Sequence, residues 1–117
     1  MMRDKLQHTA LCIDSNGMGT GDPALCTRLL ENYLRCLVEL ESAPQTILLY
    51  AEGVKNATRT ATCRPLLDAL AGLGSHIILC RTCLAHYELL EEVPPTEIGN
   101  MLQIIEAQTA AARVLKP

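Results

Sequence analysis

The chain has no Phe and no Trp, and only three Tyr among its 117 residues. Its core therefore cannot rest on stacked rings and must be built from Leu, Ile, Val and Ala, a composition that suits a sheet covered by helices. Basic clusters are also missing. Lys and Arg are scattered and the formal charge is −3, which leaves no cationic face for a phosphate backbone and excludes nucleic acid as an expected partner. No apolar run approaches membrane-spanning length. The charged start Met1-Met2-Arg3-Asp4-Lys5 has no signal-type apolar stretch behind it. A cytoplasmic protein without a membrane partner is expected. The length suits one domain over residues 1–117.

Cysteine is plentiful, with six in the chain. A disulfide framework belongs to small, secreted, loop-rich proteins. Here Cys12 sits in an apolar strand-like run and Cys26 and Cys36 in a helical pattern, where a free thiol behaves as a small hydrophobe. Reduced, mostly structural thiols follow.

Apolar runs and their punctuation give the element order. Thr9–Asp14 reads as a first strand, followed by the loop Ser15–Gly21. Asp22 and Pro23 then offer an N-cap and a first-turn proline. Leu25, Leu29, Leu30, Tyr33, Leu34, Leu37 and Val38 follow at helical spacing. After Pro44, Thr46–Ala51 is a continuous apolar run, as expected for a strand covered on both faces. Residues 52–60 read as a loop. The next helix carries Leu66, Leu67, Leu70 and Leu73 and is stopped by Gly74. His76–Cys80 is a third strand, with a short helix expected around Leu84–Leu90 and an interruption at Pro94-Pro95. A last helix starts near Gly99-Asn100, and Ala112–Leu115 closes the chain as a strand. The alternation predicts a three-layer α/β/α sandwich with a mainly parallel sheet of four to five strands.

The segment Leu79-Cys80-Arg81-Thr82-Cys83-Leu84-Ala85-His86-Tyr87 carries the chemistry. It places two thiols three apart where the third strand ends, the end of such a sheet at which ligands and reactive groups collect. Two such sulfurs can close a disulfide, and a thiolate near a helix N-terminus is stabilised by local N–H groups. Arg81 is expected to depress the thiol pKa further. The opposing reading is a pair of packed strand-end cysteines. His86 adds a third ligand-type residue, but structural zinc takes four, usually as two separated pairs. The chain has no second such pair, so neither metal nor cofactor is expected.

Lys55, in Gly53-Val54-Lys55, follows the second strand at the same sheet edge, where a cation either binds an anionic sulfur species or faces water. Asn100 is most simply an N-cap. The glycine-rich loop Gly17-Met18-Gly19-Thr20-Gly21 departs from the dinucleotide fingerprint. Pro23 removes an N–H and Asp22 places negative charge where a phosphate would sit, so the glycines read as turn formers.

Taken in order, several motifs resemble the DsrE/DsrF-like family, and within it the C-terminal domain of YedF-type, sulfurtransferase-like proteins. These are Asn16-Gly17-Met18-Gly19-x-Gly21-Asp22, Pro44, Gly53-Val54-Lys55, Cys80-x-Thr82-Cys83-Leu84 with Tyr87, and Asn100-Met101. The resemblance implies a small parallel α/β sandwich that forms homo-oligomers and carries sulfur as a cysteine persulfide. Carried over by position, it puts the family's thiols at Cys80 and Cys83; we take the downstream one, Cys83, as the carrier, with Cys80 nearby to resolve the adduct. Gly53, Lys55, Arg81 and Asn100 are the binding candidates around them. Sulfur donors and acceptors are then separate proteins or small thiols. The alternative is a non-catalytic oligomeric or small-ligand-binding module of the same fold.

Overall fold

A computed structural model describes residues 6–117. The strands are β1 (Thr9–Ile13), β2 (Thr46–Leu49), β3 (His76–Cys80), β4 (Ile98–Gly99) and β5 (Arg113–Leu115). They form one sheet in the order β4-β3-β2-β1-β5, with every pairing parallel. The helices are α1 (Pro23–Glu39), α2 (Arg64–Gly72), α3 (Arg81–His86) and α4 (Met101–Ala110). The expected α/β architecture with a parallel sheet is present. Right-handed crossovers place α1 and α2, which pack on each other, on one face. The crossover carrying α4 runs the opposite way, from β4 back across to β5, and puts α4 on the other.

Strand register shows how the two faces are filled. Cys12, Leu48 and Ile78 are aligned across β1, β2 and β3. Gln108 of α4 donates from Nε2 to Cys12 Sγ at 3.3 Å, so this row faces α4. Leu11, Ile47 and Ile77 alternate with it, as do Ile13, Leu49 and Leu79, and they face the α1/α2 layer. All nine are buried. At roughly 1.5–3 kcal/mol for each large aliphatic side chain withdrawn from water, this aliphatic double layer is the main source of stability.

Local signals explain the helix ends. The Asp22 carboxylate accepts the Leu25 N–H at 3.0 Å, and Pro23 opens α1. Asn100 and Gln103 exchange two hydrogen bonds of 2.9 Å at the start of α4, a capping box. Gly74, at φ +116, lies just beyond the cap of α2. In α1 the buried residues are Cys26, Leu30 and Leu34, whereas Leu25 and Leu29 are exposed; the apolar stripe is wider than the face the sheet covers.

Two expectations are corrected. Residues 52–60 are not a plain loop, because Ala51–Ala57 forms a 3-10 helix. The third helix begins at Arg81 instead of near Leu84, since β3 passes directly into it with Cys80 as its N-cap. Between the proline pair and α4 the chain forms the two-residue strand Ile98–Gly99.

A buried cation ties these parts together. Arg64 is 5% exposed and donates in a fork to both oxygens of Glu97, at 2.8 Å each. It also reaches Asp68 Oδ1 at 2.6 Å and the Ala57 carbonyl at 2.9 Å. The 3-10 helix, α2 and the approach to β4 are thereby joined. Removing a partner would leave a desolvated charge, so Glu97→Ala is expected to destabilise the fold by about 3 kcal/mol in urea unfolding. Asp68 is largely exposed, and Asp68→Ala is expected to cost less than about 1 kcal/mol.

Candidate functional site

The thiol site forms where β3 becomes α3. Cys80 ends the strand and is buried, and Cys83 lies in the first turn of the helix, half-buried. The two thiols are close enough for Cys80 to raise the pKa of Cys83. Above Cys83 stands Ala51, whose backbone N–H donates to Cys83 Sγ at 3.1 Å. Ala51 has φ +51, a left-handed conformation that costs a non-glycine residue roughly 1–2 kcal/mol. Such strain persists only where its surroundings over-determine it.

The same segment is held down by Gly53. Its backbone runs against the end of β1, and a Cβ there would overlap the Ile13 carbonyl. Only glycine permits that approach. The Gly53 N–H donates to the Tyr50 carbonyl at 2.9 Å, and the Tyr50 N–H to the Ile13 carbonyl at 3.1 Å. Ala51 is thus fixed from both sides.

The electrostatics differ from the expected depression of the thiol. Burial pushes the Cys83 thiol up, the Ala51 N–H pulls it back, and the contact with Cys80 pushes it up again. The net direction is upward. Arg81 is exposed and is not among the causes; its charge stays in solvent, where screening is strong. Lys55 Nζ pairs with Glu52 Oε2 at 3.1 Å and lies 4.4 Å from the centre of the Tyr87 ring. Tyr87 follows α3, so Lys55 brings a cation to the flank of the thiol helix, already balanced by a carboxylate.

Asn100 is a helix cap and begins α4 beside Gly99, which pairs with Cys80. The structure therefore brings Cys80, Cys83, Gly53, Lys55, Arg81 and Asn100 to the carboxyl end of adjacent strands. Among the described residues, the backbone N–H of Ala51 is the hydrogen-bond donor to the Cys83 sulfur. A cleft of about 250 Å³ opens at this end of the sheet, lined by Asn16, Thr27, Lys55, Asn56, Thr60 and Cys63 among others, but not by Cys83. Among the described residues, no three His, Cys, Asp or Glu side chains are grouped to hold a metal ion. No described helix is long and apolar enough to cross a membrane.

Sequence reasoning missed Ala51, since nothing in an Ala-Glu pair signals a left-handed residue. It also missed Arg64 and Glu97, which lie 33 positions apart and meet only in the fold.

Sheet order and parallel pairing, with helices covering the sheet, define a three-layer α/β fold. Comparison with solved structures supports this class. The ychN protein from E. coli superposes with a TM-score of 0.68 at 20% identity, covering 94% of this chain and 99% of that one. MTH1491 from Methanobacterium thermoautotrophicum, described as a protein of unknown function, gives 0.66 at 18% identity, covering 93% and 97%. BT1422 from Bacteroides thetaiotaomicron, a conserved protein of unknown function, gives 0.64 at 12%, covering 100% and 99%. No family model and no curated protein matches the sequence. At these identities the likeness is one of fold, and the DsrE/DsrF-like resemblance is consistent with it at that level.

Because burial and Cys80 both raise the Cys83 pKa, its alkylation by iodoacetamide is expected to rise with pH through a midpoint above that of free cysteine. Cys80→Ala removes one upward cause and is expected to shift the midpoint down. Peptide mapping of the alkylated protein across a pH series measures both.

Proposed function

We propose that this chain is a sulfur-relay domain with Cys83 as the persulfide carrier. The Cys83 thiolate attacks the outer sulfur of a donor persulfide, the donor's S–S bond breaks, and the donor leaves as a thiolate. An acceptor thiolate then takes the outer sulfur from Cys83 in the same way. The observation that carries this reading is the strained Ala51 N–H directed at the Cys83 sulfur. It stabilises the sulfur when it is anionic, as it is both when it attacks and when it leaves.

The other candidates take supporting roles. Arg81, exposed at the start of α3, attracts an incoming anionic persulfide. Lys55 flanks the thiol helix, Gly53 fixes the segment that presents the N–H, and Asn100 anchors the start of α4 after the strand that pairs with Cys80. Donor and acceptor are separate proteins or small thiols.

Treatment of the reduced protein with a low-molecular-weight persulfide is expected to add the mass of one sulfur atom at Cys83, read by peptide mass spectrometry. The Cys83→Ser variant is expected to lose that adduct. Equal uptake by this variant would remove Cys83 from the role.

Self-association belongs to the same proposal. Met101, Leu102 and Ile105 on α4 are 52%, 64% and 48% exposed, and Val114 on β5 is 47% exposed. A run of large apolar side chains left in water is the mark of a covered face. Light scattering is expected to give a multiple of the chain mass, reduced by Leu102→Glu; a monomer at micromolar concentration would refute it.

A further inference from the structure

We infer that Cys80 discharges the Cys83 persulfide as sulfide, which gives the chain a persulfide-reducing activity beside relay; the inference rests on the reading of Cys83 as carrier. The geometry separates the two thiols by access. Cys80 is 2% exposed, so external donors and acceptors do not reach it. Cys83 is half-buried and lies three residues on, in the first turn of α3. The pair occupies the N-cap and the first turn of α3, so a single turn of backbone, held in place by the β3 ladder, brings the two residues together. This inverts the access of a dithiol whose upstream cysteine is the exposed one. Here the downstream thiol meets solvent and the upstream one waits beneath it.

Position decides which sulfur each nucleophile attacks. An acceptor arriving from solvent meets the outer sulfur of the persulfide, and that route is transfer. Cys80, below, meets the Cys83 Sγ itself. Attack there forms the Cys80–Cys83 disulfide and breaks the bond from Cys83 Sγ to the outer sulfur, which leaves as hydrosulfide and takes up the proton released by Cys80. The two cysteine sulfurs are oxidised and the outer sulfur is reduced, so the step balances. An external dithiol returns the disulfide to two thiols and closes the cycle. With no acceptor docked, Cys80 is the nearest nucleophile, and its fixed proximity gives the internal route its advantage.

The test uses the full chain with Cys36→Ser, which removes the exposed thiol of α1. The reduced protein is loaded with a small alkyl persulfide, freed of excess reagent, and followed for released sulfide and for the Cys80–Cys83 disulfide by peptide mapping. One sulfide per disulfide is expected. With Cys80→Ala added, the Cys83 persulfide is expected to persist at least about tenfold longer, without sulfide release. Because the disulfide is mapped in the parent itself, the test does not depend on how well the Cys80→Ala variant folds. Sulfide loss at the same rate in both proteins, or no Cys80–Cys83 disulfide in the parent, overturns the inference while leaving the carrier intact. Uptake of sulfur that persists in Cys83→Ser overturns the carrier reading itself.

Discussion

The guanidinium of Arg64 is the constraint on which the arrangement at the carboxyl end of the sheet depends. A buried cation is tolerable only when its donors are met, because the desolvation cost otherwise exceeds anything packing returns. Arg64 meets Glu97 in a planar fork, Asp68 on its own helix, and the carbonyl that ends the 3-10 segment. That segment begins at Ala51, so the residue that addresses Cys83 inherits its position from an ion pair at the other end of the same short helix. Arg59, itself exposed, adds a tie of a different kind, donating to the carbonyls of Glu91 and Val93 at 2.7 and 3.0 Å. Two arginines thus hold the irregular connections against the regular sheet.

The thiol site is a contest between solvation and a single oriented dipole. Withdrawal from water favours the neutral sulfur, and one backbone N–H at 3.1 Å does not reverse it. Cationic help is close but committed, since Lys55 is shared between Glu52 and the face of Tyr87. A protonated resting sulfur is shielded from the indiscriminate oxidation that a fully exposed thiolate invites. Its ionisation works against the fold: the pKa is higher in the native state than in the unfolded chain, so alkaline conditions above the ordinary cysteine range withdraw stability.

Much of the fold was readable from residue order, because each main strand is a continuous aliphatic run and two helices carry their own start signals at Asp22 and Asn100. What escaped has specific physical causes. Cys80 caps α3 without a side-chain hydrogen bond, so no Ser, Thr, Asp or Asn announces the helix and its start was placed three residues late. The 3-10 helix over Ala51–Ala57 draws its stability from Arg64 and from contact with β1, and neither is local. The strand Ile98–Gly99 exists only because β3 lies beside it. Of the candidate site, the two thiols could be named from spacing and position. The N–H that meets Cys83 belongs to an alanine whose backbone angle is set by tertiary contact, and Arg81 was assigned an influence that solvent removes.

The sheet ends in a two-residue strand on one side and a three-residue strand on the other. Such brief margins offer too few free amide and carbonyl groups to template a neighbouring chain, which is how many sheet proteins avoid edge-to-edge growth. Assembly of this protein by lateral strand addition is therefore disfavoured at both rims, and any complex it enters has to be specified by side chains, whose shape and polarity can be tuned without disturbing the ladder.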